Sequence, residues 1–182
     1  MTIFHPIKPF FDKNSKILIL GSFPSVKSRE QMFFYGHKQN RFWRVISSIF
    51  CEKVPESIDE KKNLLKSNNI AVWDVIASCD IEGSADSSIK NVVANDLNII
   101  LKEAKIEKII VNGKTAEKYY NKYIKDKINR DAICMPSTSP ANASWSEEKL
   151  INEWKRILLW IILIRQNIFY KFLISILCKM YY

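Results

Sequence analysis

The sequence predicts an α/β fold: a three-layer α/β/α sandwich around a short, mainly parallel sheet of four strands. Two observations predict it. Four short segments are continuously apolar, as strands of a sheet covered on both faces must be. Helical patterns lie between them, and strands alternating with helices argue a layered fold. A chain of 182 residues with 47% hydrophobic content suits one domain with a sizeable core and excludes disorder as its main character.

The elements follow in order. Residues 16–21, KILILG, read as a buried strand ending in glycine. A helix is expected over 41–52, where Phe42, Val45, Ile46, Ile49 and Phe50 recur at helical spacing. Residues 59–68 also read as helix, and 70–73, IAVW, as the second strand. Helix is expected again over 95–104, then strand over 107–112, EKIIVN. Residues 114–127 form a basic amphipathic helix carrying Lys114, Lys118, Lys122 and Lys125. Its lysines read as a solvated face that adds non-specific attraction to a polyanion. The fourth strand, 132–135, stops at Pro136. Ser144-x-x-Glu147 reads as a capping box opening a final helix near Ser146.

The C-terminus is unusually apolar. ILLWIILI at 157–164 continues as RQNIFYKFLISILCKMYY. A membrane helix needs roughly 20 mostly apolar residues, and Arg165, Gln166, Asn167 and Lys171 interrupt this run. A buried final helix followed by a tail is the preferred reading. The expected division is a domain over 1–164 and an apolar and basic tail of unknown role over 165–182.

Lys and Arg number 28 against 19 Asp and Glu, a net charge of +9. So basic a domain commonly meets a polyanion. The four cysteines, Cys51, Cys79, Cys134 and Cys178, are scattered and contain no C-x-x-C pair. That spacing argues against a structural zinc site and for a reducing, cytoplasmic setting. MTIFHPIKPFF lacks the long apolar stretch of a secretory signal.

Three loops fall at carboxyl ends of the expected strands, where open α/β sheets bind ligands. The first is Gly21-Ser22-Phe23-Pro24-Ser25, followed by Phe33-Phe34-Tyr35-Gly36-His37-Lys38-Gln39-Asn40-Arg41-Phe42-Trp43. The second is Trp73-Asp74-Val75, leading to Gly83-Ser84-Ala85-Asp86-Ser87-Ser88. The third is Pro136-Ser137-Thr138-Ser139-Pro140-Ala141-Asn142-Ala143. Small polar residues at loop tips can approach and hydrogen-bond a phosphate. Aromatics beside amides suit a flat heterocycle, stacked on its face and bonded at its edge. With the positive charge, this suggests a nucleobase pocket on nucleic acid.

The set GSFPS…FYGHKQNRFW, VWDVIASCDIEGSADSSI, NGKTA and MPSTSPANA, in that order, resembles the uracil-DNA glycosylase superfamily. It is most similar to the hypoxanthine (deoxyinosine) branch, and Asn-x-Phe-Trp is shared with the mismatch-specific uracil/thymine branch. The resemblance implies a monofunctional base-excision enzyme. It would flip a deaminated base, hypoxanthine or uracil, from DNA and hydrolyse the N-glycosidic bond, without metal or cofactor. DNA is the expected partner and a monomer the expected state. The alternative is a binding module that recognises a base without cleaving it.

The resemblance also implies roles. Asn40 is the expected catalytic amide, orienting water or holding the base edge; its other reading is a cap for the helix that follows. Gly21, Ser22, Phe23 and Pro24 are expected around the flipped nucleotide and the water. Asp74 is placed to accept from the N1–H of hypoxanthine or the N3–H of uracil; its other readings are a helix cap or an ion pair. Ser137, Thr138, Ser139, Pro140, Ala141 and Asn142 match the motif that pinches the backbone. There Ser137 or Thr138 replaces a histidine found in other branches. Phe34 or Tyr35 is expected to stack on the base, the other reading being core packing. His37 is read as a donor to base or DNA, and Lys38, where the family has proline, as a phosphate contact. Ser84 is expected to cap a helix and touch a phosphate, while Asp86 reads as structural.

Overall fold

The computed structural model describes residues 2–158. Four strands, β2 (Ile17–Gly21), β3 (Ile70–Asp74), β6 (Lys108–Asn112) and β7 (Ile133–Met135), form a parallel sheet in the order β3-β2-β6-β7. Every residue of β2 and β3 is buried. Burial on alternating side chains means that both faces of the sheet are covered, which is why these strands are apolar without interruption.

A second sheet was not expected. β1 (Thr2–Phe4), β4 (Ile76–Asp80) and β5 (Lys90–Ala94) pair antiparallel in the order β1-β4-β5. The chain passes from β3 to β4 through Val75 alone, whose N–H donates to the Gly21 carbonyl. The same stretch thus serves both sheets and carries Asp74 at the junction.

The helices are α1 (Val26–Gln31), α2 (Phe42–Phe50), α3 (Ile58–Ser67), α4 (Asn98–Leu101), α5 (Lys114–Tyr123), α6 (Lys125–Ile128) and α7, which runs over 147–158 of the described residues. α2 buries Phe42, Trp43, Val45, Ile46 and Ile49. α3 starts at a capping box in which Ser57 and Glu60 bond each other's backbone N–H. Leu150, Trp154 and Leu158 form a buried stripe on α7. The Trp154 indole N–H donates to the Pro136 carbonyl at 3.0 Å, anchoring the loop after β7.

Three expectations need correction. The final helix is capped by Ser146: its carbonyl accepts from Leu150 and its hydroxyl from Lys149. The Ser144 hydroxyl instead donates to Asn142. Residues 114–127 are two helices, because Ile124 leaves helical φ to bury its side chain. Only Asn98–Leu101 of 95–104 is α-helical. The 165–182 tail, its boundary at 164 and Cys178 lie outside the described residues. Among the described residues no helix is long and apolar enough to cross a membrane.

Gly113 joins β6 to α5 at φ 102°, with a hypothetical Cβ only 2.7 Å from that of Ser137. Gly113→Ala is expected to destabilise the protein by roughly 1–3 kcal/mol, combining backbone strain with a displaced Ser137. Gly83→Ala is the control: φ is 59° there, but no neighbour lies within 4 Å. Its expected cost in urea denaturation is the smaller of the two.

Candidate active site

The carboxyl ends of the parallel strands open into a cleft of about 990 Å³. Its walls are the loop after β2, the segment leading into α2, the loop between β4 and β5, the start of α5 and the loop after β7. This is the crevice in which α/β sheets bind ligands.

Asn40 stands on one wall, and its amide orientation is determined by its partners. The Phe42 N–H donates to Asn40 Oδ1 at 3.0 Å, closing a turn just before α2, whose N-cap is Arg41 and not Asn40. The Thr138 hydroxyl donates to the same oxygen at 3.0 Å. That hydroxyl in turn accepts from Asn112 Nδ2 at 2.9 Å, while Asn112 Oδ1 accepts from the Thr138 N–H at 3.0 Å. With Oδ1 occupied by two donors, the free end of Asn40 is its NH₂, a pair of donors. The side chain closes the turn before α2 through its oxygen and leaves its NH₂ unbonded among the described residues.

Thr138 is therefore not a DNA contact. It is fully buried, and its hydroxyl joins three chain segments. Arg41, which the sequence marked only as the start of a helix, secures the same loop. Its guanidinium donates to the carbonyls of Thr138, Ser139, Asn142 and Trp145, and its N–H to Thr138. Burial pulls its pKa down, Glu147 opposes that, and nearby Arg44 adds to it. Within the loop, Ser137 Oγ accepts from the Ser139 N–H and Asn142 Nδ2 donates to the Ser137 carbonyl. Pro140 and Ala141 are exposed at the tip.

Asp74 lies at the floor, 4% exposed. In place of an ion pair, Asp74 takes a hydrogen bond from a histidine that the sequence did not reveal. His5 Nε2 is 2.8 Å from Asp74 Oδ2, and His5 Nδ1 accepts from the Ile7 N–H, so Nε2 carries the donated proton. Strand β1 brings His5 there through the second sheet. The other carboxylate oxygen faces Gly21, where a Cβ would come within 2.2 Å of it. Gly21 is thus required by the close approach of Asp74.

Tyr35 lies beside this pair. Its ring stacks on Phe42 at 3.8 Å, so one face is taken. Its φ of 53° is unusual for a bulky residue, at a cost of about 1–2 kcal/mol. Its buried hydroxyl makes no well-formed hydrogen bond; Asn112 lies near but out of bonding geometry. Burial, with repulsion from Asp74, holds its pKa well above the usual phenol range. Phe34 and Phe23 line the cleft but pack mostly in the core, both against His5.

The opposite wall is the 81–88 loop. Ser22 Oγ donates to Asp86 at 3.2 Å. Asp86 keeps accessible surface, yet the surrounding protein raises its pKa; bonds from Thr115 and Ser22 oppose the rise, and Asp74 adds to it. The Ser84 hydroxyl accepts from the Val26 N–H at the start of α1, while the cap of that helix is Ser25. Arg29 bonds the Pro24 and Gly83 carbonyls and ties the two loops together. His37 lines the cleft, its Nδ1 accepting from the Gln39 N–H, and Lys38 is exposed beside it. Lys114 also lines the cleft but pairs with Glu117 at 2.8 Å; Lys125 pairs with Asp131, while Lys118 and Lys122 lie over tyrosine rings. Among the described residues, no three His, Cys, Asp or Glu side chains are grouped to hold a metal ion.

The cleft thus gathers Gly21, Ser22, Asn40, Asp74 and Ser137 in one place. Missed were His5, Arg41 and Asn112. Asn112 had a signal, since an amide ending an apolar strand beside Gly113 is costly unless it is bonded. His5 and Arg41 had none, because their partners are remote in sequence.

Known proteins resemble this chain in sequence and in fold. The family model described as the uracil DNA glycosylase superfamily matches residues 8–163. A hypoxanthine DNA glycosylase of Methanosarcina acetivorans is 36% identical over 149 residues, 80% of this chain and 92% of the relative. Another, from Methanosarcina barkeri, is 38% identical over 114 residues, 61% of this chain and 72% of the relative. A solution NMR structure from Methanosarcina acetivorans, provisionally assigned as a uracil DNA glycosylase, superposes with a TM-score of 0.73 at 31% identity. That match covers 87% of this chain and 97% of the other.

Two outcomes follow from the geometry. Thr138→Val keeps the shape but leaves Asn112 Nδ2 without its acceptor; a loss of about 1–3 kcal/mol is expected in chemical denaturation. Asp86→Asn is expected to raise the melting temperature at neutral pH. A raised folded pKa means that stability falls as pH climbs through the carboxyl's unfolded value toward its folded one. The advantage of the amide should therefore vanish in acid below the ordinary carboxyl range, as melts across pH would record.

Proposed function

The chain belongs to the uracil DNA glycosylase superfamily, and on that premise we propose that it is a DNA repair glycosylase of the hypoxanthine type. It acts on deaminated bases in DNA, hydrolysing the bond between base and sugar. The observation that carries the catalytic assignment is the locked amide of Asn40, whose NH₂ is its only unbonded end.

The damaged nucleotide leaves the stack and enters the cleft, a step that costs least at a mispaired base. The C1′–N bond breaks with its electron pair going to the base, and a water oxygen bonds C1′. One proton of that water is released, and the departing base takes up a proton. The transition state joins an oxocarbenium-like sugar to a base gaining negative charge. Such a state needs placed dipoles and a placed water more than a strong base. The Asn40 NH₂ donates to the base or holds the water by its oxygen. Ser22 and Ser137 supply hydroxyls and backbone groups beside the sugar, and Asp74 accepts from the ring N–H.

Ser139, Pro140 and Ala141 form the exposed tip that meets the DNA backbone. Phe34 and Tyr35 provide the apolar wall. Lys114 lines the cleft with its ammonium hydrogen-bonded to Glu117, and it is given no role as an amine nucleophile. The proposed reaction ends at an abasic site, without strand scission by the enzyme. A DNA substrate places the enzyme with the genome, and free Cys51, Cys79 and Cys134 are compatible with the cytoplasm.

Duplexes carrying one deoxyinosine or one deoxyuridine are expected to be cut only after alkali, under single-turnover conditions. Asn40→Ala is expected to slow base release by about 10²–10³-fold, the range for loss of one positioned donor, while duplex affinity changes little. Unchanged cleavage by the variant would remove Asn40 from the chemistry. Intact binding without cleavage by the native protein would leave a recognition module.

A further inference from the structure

The Tyr35 hydroxyl is the one oddity of the cleft that the reaction above does not use. It is buried, makes no well-formed hydrogen bond among the described residues, and sits on a residue with left-handed backbone. Buried hydroxyls ordinarily have partners, and Tyr35 lines the cleft, so its unpaired hydroxyl asks what completes it. The hydroxyl and the free oxygen of Asp74 both border Gly21: a Cβ there would be 3.6 Å from the hydroxyl and 2.2 Å from that oxygen. His5 occupies the other Asp74 oxygen, so the free one is held as an acceptor.

We propose that Tyr35 and Asp74 form a donor–acceptor pair that selects a base presenting a carbonyl next to a ring N–H, with Tyr35 donating to the carbonyl and Asp74 accepting from the N–H. This rests on the glycosylase reading and assigns its substrate class. Hypoxanthine and uracil both present that edge. Adenine and cytosine present an amino group beside an unprotonated ring nitrogen, which reverses both positions and sets a lone pair against the carboxylate. Deamination is the chemical change that converts the rejected pattern into the accepted one. Guanine and thymine share the carbonyl and N–H, so their rejection falls to the walls that meet the 2-amino group of one and the 5-methyl group of the other. A carboxylate only accepts, so reading such an edge needs a separate donor. The Tyr35 hydroxyl supplies it, and burial keeps it protonated. Stacking on Phe42 fixes the ring, which favours a positioned donor over a mobile one.

The test is a cycle between one protein atom and one substrate atom. Native protein and Tyr35→Phe are compared on duplexes carrying deoxyinosine or its 6-thio analogue, whose thiocarbonyl is the weaker acceptor and whose N–H is kept. Single-turnover rates and duplex affinities are measured for all four pairs. Native protein is expected to lose about tenfold on the 6-thio base, and Tyr35→Phe about tenfold on deoxyinosine. The variant should show little further loss on the 6-thio base, because the bond is already gone. Equal losses by the variant on both bases, or no loss on either, would overturn the proposal and make the hydroxyl structural. If native protein binds but cleaves neither duplex, the glycosylase reading fails, and the same cycle in affinity then decides the base-reading pair.

Discussion

The cleft depends on one buried hydroxyl. Thr138 accepts from Asn112 and donates to Asn40, and so joins the end of β6, the start of α2 and the loop after β7. Each partner would be a costly buried polar group without it. A hydroxyl suits the position because it donates and accepts at once, and a β-branched side chain suits it because few rotamers are open to it. Arg41 reinforces the junction with a planar fork of donors directed at loop carbonyls, a pattern that a lysine ammonium cannot reproduce. The loop is long and rich in small polar residues, yet its shape is imposed from the core. Trp154, fully buried on α7, holds Pro136 at the loop's beginning. Asn40 therefore inherits its position from packed helices and not from loop chemistry.

A second constraint acts at the floor. A carboxylate as buried as Asp74 needs hydrogen bonds to stay charged. His5 satisfies one oxygen and leaves the other toward Gly21 and Tyr35. This division has a consequence for recognition. A carboxylate with one oxygen engaged presents a single acceptor in a defined direction, which serves a flat heterocycle better than a freely rotating group. The small antiparallel sheet exists next to the site for this reason: its β1 strand carries His5 across to Asp74.

Much of the parallel sheet was legible because its physics is local. KILILG, IAVW, EKIIVN and AICM must be apolar along their length when helices cover both faces, and they fall within a residue or so of the observed strands. The second sheet was illegible for the complementary reason. IASCD buries a serine and a cysteine, while KNVVA is largely exposed, so neither segment shows the continuous apolar run or a clean alternation. Asn40 was legible only as a residue with two competing uses; the structure sets its oxygen in the turn before α2 and leaves its NH₂ toward the cleft. His5 and Arg41 were invisible because their partners lie 69 and about 100 residues away. Ser144 misled because capping-box spacing was present, while Ser146, two residues on, has the backbone that starts the helix.

The charge distribution explains why a neutral amide is the proposed catalytic group. The chain carries a net charge of +9, which favours encounter with any polyanion but carries no information about the base. Inside the cleft the balance reverses: Asp74 and Asp86 both line it, and Lys114 is paired with Glu117. Glu153 lines it as well, and a base leaving with negative charge gains nothing from these carboxylates; another at position 40 would oppose its departure further. An amide adds no charge. With its oxygen committed to Phe42 and Thr138, it presents only donors to the electrons that the base takes away. The buried hydrogen-bond chain behind Asn40 thus does more than brace a loop. By occupying the acceptor end of the amide, it determines which end is left to the cleft.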